Sequence, residues 1–332
     1  MTKANIFQSF ALVATLGLAG SLFAQTTVST PIVGFQKTSL AQGYNSLGFP
    51  LVSAPILSTT TAASVSGSSI SLNSPVPNTA SSNSAYYLEV TSGLREGERV
   101  DVTVTPGSSA VVIVTGAANN TSNLVGLSSG TSVVIRKHIT LADVGNAVSP
   151  ALTKNDDPSL ADRVYVFAGG VFVYYYQGSD GVWVENGGLD DISGLQINPG
   201  SGVLIYKAGS SPTSITMTGS VRLNKFARNY TSGYQAYAPA YPLAYSPASM
   251  GGNDWSGNID PQNSDKIFPF SGGTFIQYYL DPTDTTGSAK GTWLEVGGLD
   301  PQNSVNLVSF DRAALVYRKN SDPVVETYPV QQ

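Results

Sequence analysis

The sequence predicts an all-β protein with two tandem repeated sandwich- or barrel-like units, the first of them interrupted by an inserted small β module. Three observations predict it. A block of twenty residues occurs twice, Asp157 to Tyr176 (DPSLADRVYVFAGGVFVYYY) returning 103 positions later, without a gap, as Asp260 to Tyr279 (DPQNSDKIFPFSGGTFIQYY). Apolar residues recur with the period of two that suits a strand, and no amphipathic run reaches helical length. Upstream, Gly43-Tyr44-Asn45 with Pro50-Leu51 matches Gly233-Tyr234-Gln235 with Pro242-Leu243, but 105 residues separate Leu51 from Asp157 where only 16 separate Leu243 from Asp260. An insertion into the first copy accounts for the difference.

In chain order, residues 1–24 read as a secretory signal: Lys3 gives the positive start, Phe10 to Gly20 the short apolar core, and Leu22 to Ala24 a cleavage site. That apolar run is too short to span a membrane stably, and no integral membrane segment is expected once it is removed. The first repeat unit is placed at 31–56 plus 131–209, the inserted module at 57–130, the second unit at 216–320 and a tail at 321–332. Within the module, Arg99 to Val104 alternates, Pro106-Gly107 turns, and Ala110 to Val114 runs back as a hairpin. Each repeat core is a strand (163–167, 266–270), a Gly-Gly turn and a second strand through the tyrosine pair. A tryptophan strand follows, at Trp183-Val184-Glu185 and Trp293-Leu294-Glu295. Gly170 and Gly273 supply the positive φ that a two-residue turn requires. Leu141 to Val144 is allowed one helical turn at most.

Composition narrows the functional classes. Net charge is −5, one unit more negative without Lys3, and charged residues are 12% of the chain. With no Lys/Arg cluster, nucleic acid is not an expected partner, because phosphate binding needs concentrated cations. Cysteine is absent, which removes disulfides, thiolate metal sites, thiol nucleophiles and a Cys-anchored lipid. The charge-free run from Thr38 to Leu88 lacks the charge density of a disordered segment and reads as folded strands with hydroxyl-rich faces.

Thr30 to Phe35, Tyr86 to Gly93, Arg136 to Leu141 and the two Asp-to-Tyr-Tyr blocks give the chain a resemblance to a family of uncharacterised exported β-rich proteins of verrucomicrobial bacteria. The resemblance covers nearly the whole mature chain. It implies export and carries over no activity and no catalytic residue.

Few residues offer catalysis. His138 is the lone histidine, so a histidine metal cluster is excluded and a structural or surface role is expected for it. No nucleophile elbow, phosphate-cradling loop or zincin motif is present. Glycoside hydrolysis needs only two carboxylates, for which Glu185 and Glu295 are the candidates. Duplication alone, however, places these two at equivalent positions. Trp183, Trp293 and Trp255, with Tyr174 to Tyr176 and Tyr278-Tyr279, offer flat platforms on which sugar rings stack; the plain alternative is core filling. In W-x-E alternation Trp and Glu share one face, which suggests partly exposed tryptophans. Asp157 with Asp162, and Asp260 with Asp265, beside Asn155, Asp156 and Asp254, are candidate ligands for a structural Ca²⁺, although neither loop has the EF-hand register and Asp-Pro also starts plain turns. No other cofactor is expected.

Together these features favour an exported, extracellular, cell-surface or periplasmic structural or interaction protein, non-catalytic, that associates with itself or with cell-surface components. The alternative is a carbohydrate-binding or adhesion module for polysaccharide; a glycoside hydrolase is third.

Overall fold

The strand β1 (Val33–Leu40) buries Gln36, Thr38 and Leu40 and exposes Val33, Phe35, Lys37 and Ser39, the alternation of a half-buried strand. Gly43, at φ 88°, turns the chain into β2 (Gly43–Gly48), and β3 (Leu51–Val52) follows. The structure, a computed structural model, describes residues 32–250, 255–283 and 291–326; the expected leader and Asp254 lie outside them.

The chain then leaves the first unit. β4 (Pro55–Ser66), β5 (Ser69–Leu72), β6 (Tyr86–Val90), β7 (Arg99–Val104), β8 (Ala110–Ile113) and β9 (Ser132–Lys137) close into a barrel in the order β4-β5-β8-β7-β6-β9. Its interior holds Leu88, Val90, Val100, Val102, Val104, Val133 and Ile135, which are the alternate residues of three neighbouring strands. The sequence placed residues 131–137 with the first repeat unit. They belong to the barrel instead, because β9 pairs with both β4 and β6 and without it the module would have two unpaired edges. Entry and exit are neighbours, Pro55 pairing with Arg136 and Leu57 with Ile135.

The first unit resumes with β10 (Ile139–Thr140), α1 (Leu141–Asn146), β11 (Val148–Ser149), β12 (Arg163–Ala168), β13 (Val171–Gln177), β14 (Trp183–Glu185), β15 (Gln196–Ile197), β16 (Gly202–Lys207) and β17 (Thr213–Val221). One sheet runs β14-β13-β12-β16-β2, and β1, β17, β11 and β3 form the other. Leu47, Val164, Trp183, Ile205 and Ile215 are buried in one core built from both sheets. The helix is longer than the single turn the sequence allowed. Thr140 and Asp143 form a reciprocal capping box, and Leu141 and Val144 are buried. Gly145 permits close packing on Trp183: a Cβ there would stand 2.6 Å from the indole ring.

The second unit comprises β18 (Phe226–Tyr230), β19 (Gly233–Tyr237), β20 (Lys266–Ser271), β21 (Thr274–Phe275), β22 (Tyr278–Asp281), β23 (Thr292–Glu295), β24 (Ala314–Arg318) and β25 (Asp322–Glu326). Its sheet order, β23-β22-β20-β24-β19, reproduces the first, and so does its register. Arg163 pairs with Tyr176 and Tyr206 as Lys266 pairs with Tyr279 and Tyr317, while Tyr44 faces Tyr206 as Tyr234 faces Tyr317. Trp183 and Trp293 end up opposite Gln177 and Leu280. One local difference has a plain cause. Pro269 has no N–H, and the hairpin that runs unbroken through Val166 and Val173 is interrupted between β21 and β22.

The repeat also extends beyond the expected boundaries. β17 pairs along the whole of β1, so residues 213–221 complete the first unit. Likewise β25 pairs with β18, so residues 322–326 form a strand and not a tail. Both strands gain the backbone partners that an isolated terminal strand lacks.

The two units meet through equivalent residues. Gly48 N–H donates to Asp311 O (3.0 Å) and Ala238 N–H donates to Gly200 O (2.8 Å), a pair of contacts that exchange when the units are exchanged. Phe172 stacks on its counterpart Phe275 at 6.1 Å. Gly202 lies so close to its counterpart Ala313 that a Cβ on it would come within 2.3 Å of the alanine Cβ. This is an isologous contact within one chain, with a pseudo-twofold axis near Phe172 and Phe275.

The barrel is fixed to both units through its polar outer wall. Glu89, fully buried, is paired with Arg222 and Arg136. Arg99 donates to Asn119 Oδ1 and to the carbonyls of Ala227 and Pro199, and its guanidinium lies 4.1 Å from the Phe226 ring centroid. Burial, and then the nearby Arg228 guanidinium, lower the Arg99 pKa. Arg228 in turn donates to Glu326 and to the carbonyls of Gly200 and Ala238.

Candidate functional site

The tryptophans expected to be partly exposed are core residues, Trp183 at 2% and Trp293 at 3% exposure, and Trp255 is half-buried with its ring 5.0 Å from Trp293. The tryptophans are buried although Trp and Glu alternate onto one face, because each strand runs out of the core within its own length. Glu185 and Glu295 share the tryptophan face, yet they stand at the strand ends, exposed. Tyr278 Oη donates to Glu295 there. The two glutamates lie on outer strands of different sheets.

Asp162 and Asp265 have a use that explains why both copies keep them. Asp162 accepts from Lys207 Nζ (2.6 Å) and from the backbone N–H groups of Thr153 and Ala208; Asp265 is paired with Arg318 (3.2 Å) and accepts from the N–H groups of Ser256 and Lys319. All four charged side chains are buried. Each aspartate therefore ties the loop before its sheet to the end of the fourth strand, with its oxygens already committed to cations and amides. Asp157 and Asp260 are exposed turn formers that accept from Ser159 N–H and Gln262 N–H, and hydrogen bonding from Ser159 lowers the Asp157 pKa. Among the described residues no three His, Asp or Glu side chains gather as a cation site would need. His138 is buried, its Nε2 2.9 Å from Asp101 Oδ1 and its ring against Tyr87.

Exposed aromatic surface lies elsewhere, on the sheet faces turned away from the cores. Because side chains alternate, Arg163, Tyr165 and Phe167 of β12 point opposite to Val164, and the pairing register lines up Tyr44, Tyr206, Arg163 and Tyr176 in one row across four strands. The same row in the second unit is Tyr234, Tyr317, Lys266 and Tyr279. Tyr44 contacts Tyr206 and Tyr165 at 5.0 and 5.5 Å; Tyr234 contacts Tyr317 and Phe268 at 5.0 and 5.6 Å. A cation seats each row, the Arg163 guanidinium 4.2 Å from the Tyr206 centroid and Lys266 Nζ 4.8 Å from that of Tyr317. Burial, and then the hydrogen bond to Tyr44, raise the Tyr165 pKa. Of the tyrosines expected as platforms, Tyr174, Tyr176 and Tyr279 are on this outer side, whereas Tyr175 and Tyr278 fill cores.

Each row opens into a cleft built by both units. One cleft, of about 790 Å³, lies between Tyr44 at the β2 edge and the Phe270-Ser271-Gly272-Gly273 hairpin of the second unit, floored by residues 306–309 and Arg312. The other, of about 770 Å³, lies between Tyr234 at the β19 edge and the Phe167-Ala168-Gly169-Gly170 hairpin of the first unit, floored by residues 195–199, Ser201 and Gly202 and walled on one side by Ala118 to Thr121 of the barrel. Their repeat-unit walls are pseudo-twofold counterparts, and only the second cleft borders the barrel. Neither has an Asp or Glu in its lining, and both mix aromatic rims with Asn, Gln, Ser and backbone amides. Their arginines are engaged already: Arg99 and Arg228 as described, and Arg312 with Ser46 O and Asp311. Tyr44 and Tyr234 are 42% and 46% exposed. A third cleft, about 500 Å³ and lined by Gln36, Lys137, His138 and Asp143, separates the barrel from the first unit. Two further residues are kept at exposed tips in both copies, Leu189 and Leu299, at 95% and 88% exposure in the turns after β14 and β23.

Sequence reasoning found the tyrosine positions but assigned function to the tryptophans. Alternation within Arg163 to Tyr176 carried the signal for which tyrosines face out. Comparison with protein-family models, curated proteins and solved structures found no match.

Proposed function

We propose that the chain is an exported, non-catalytic interaction protein of the cell surface or extracellular matrix. The observation that carries this reading is the division of labour in the duplicated block. Asp162, Asp265, Trp183 and Trp293 serve the interior, while the outer sheet faces repeat a row of aromatic rings with one cation in each. The repeated exposed carboxylates, Asp157/Asp260 and Glu185/Glu295, stand at turns and strand ends. Exposed aromatic surface of this kind marks recognition more often than chemistry. The leader-like start agrees with work outside the cell.

Fluorescent or gold labelling of an epitope-tagged chain on intact, unpermeabilised cells tests the reading. Label on the exterior or in the surrounding matrix supports it; label that appears only after permeabilisation with the inner membrane breached overturns it.

A further inference from the structure

We infer that the twin clefts are binding sites for an uncharged polysaccharide and that one molecule holds two such strands, or two places on one strand. The inference rests on the interaction reading above and names its ligand class.

The lining selects the ligand. A pyranose ring presents axial C–H groups on its faces and hydroxyls around its rim, so it needs an aromatic plate beside neutral donors and acceptors. Tyr44 and Phe270 in one cleft, and Tyr234 and Phe167 in the other, supply aromatic surface next to Asn306 and Ser309 or Asn198 and Gln196. Charge selects against an ionic ligand. A polyanion would need free cations, and the cleft arginines are bonded to carbonyls, amide oxygens and carboxylates of the protein itself. A polycation would need carboxylates, which the linings lack. Both clefts reach the sheet edge at Tyr44 or Tyr234, the first ring of each tyrosine row.

Comparison of the copies adds a separate argument. Loops between the repeats have diverged, as Gln177 to Gly181 against the longer Leu280 to Gly291 shows. Yet the exposed Tyr44/Tyr234 pair and the Phe167/Phe270 and Gly-Gly hairpin tips, which form both rims, are the same residue types in both copies. Neither exposed tyrosine is needed to fill a core.

The test is electrophoresis of the folded protein through native gels containing hydroxyethylcellulose, xylan, dextran or alginate, together with turbidity of the same mixtures in solution. The variants are Tyr44→Ala, Tyr234→Ala and the double variant, each checked for native circular dichroism. Retardation is expected in at least one neutral gel, weakened about threefold to tenfold by either single substitution and lost in the double variant. Turbidity requires both sites, so either single variant should bind without clouding the solution. The inference is overturned by free migration in every neutral gel, by retardation in alginate alone, or by a double variant that migrates like the parent chain. Surface labelling would stand after any of these results, so the two readings fail separately.

Discussion

Replacing Asp162 with Asn is expected to destabilise the protein by about 3–5 kcal/mol, the usual cost of leaving one member of a buried ion pair behind. The side chains of Asp162 and Lys207 are 0% and 4% exposed, at a separation of 2.6 Å, so solvent does little to screen the loss. An exposed pair would cost roughly 0–1 kcal/mol. Asparagine keeps the shape and one acceptor, but Thr153 N–H, Ala208 N–H and the ammonium now compete for it. For a domain of this size the loss corresponds to a fall in Tm of roughly 6–20 °C, readable by differential scanning calorimetry. Adding Lys207→Met to Asp162→Asn removes the stranded charge and should recover at least half of the loss. Asp265→Asn, which leaves a guanidinium that keeps its charge, should cost at least as much as its counterpart. A loss below about 1 kcal/mol, or no recovery in the double variant, would refute the claim that these aspartates act as buried anchors.

Three other outcomes are expected. Burial holds Tyr230, Tyr237, Tyr241 and Tyr245 above the ordinary tyrosine pKa; the folded state retains these protons where the unfolded chain loses them, so stability is unaffected below about pH 10 and falls above it by about 1.4 kcal/mol per tyrosine per pH unit. Tyrosinate absorbance of that set should then appear together with the loss of β circular dichroism, and ionisation with the fold intact would contradict it. Gly202→Ala, whose Cβ would meet Ala313 and Leu47 O, should cost about 1–3 kcal/mol, whereas Gly209→Ala, which meets nothing within 4 Å, should be near neutral by the same denaturation measurement. Millimolar Ca²⁺ or EDTA should leave Tm unchanged, and a rise with Ca²⁺ would show that the aspartate loops hold the ion after all.

The duplication was legible because its signal is positional: Gly-Gly at 169–170 and 272–273 and the Tyr pairs fix hairpins without knowledge of what they pack against. The ends of the repeats were less legible. Thr213 to Val221 and Asp322 to Glu326 share little sequence, and what makes them equivalent is a long-range pairing with β1 and β18. Ser132 to Lys137 fits either neighbour by local pattern, and only barrel closure decides. Trp183 was misjudged because a strand of three residues passes from core to rim within a single alternation. The buried network of Glu89, Arg99, Arg136 and Arg228 was not legible, since alternation separates two faces but does not tell water from a docked module.

A contact that exchanges its partners is saturated once made. The patch around Phe172 and Phe275 is therefore consumed inside the chain, and it leaves no second copy of itself for another molecule. What remains outside on the two repeat units is a pair of like surfaces, each carrying its own tyrosine row, outer strand and exposed leucine. The barrel, which has no counterpart in the second unit, is the element that breaks their equivalence. If one of these surfaces recognises a partner, its twin offers a second place of the same kind. Cross-linking, and not directional growth, is the mode of assembly that this valence favours.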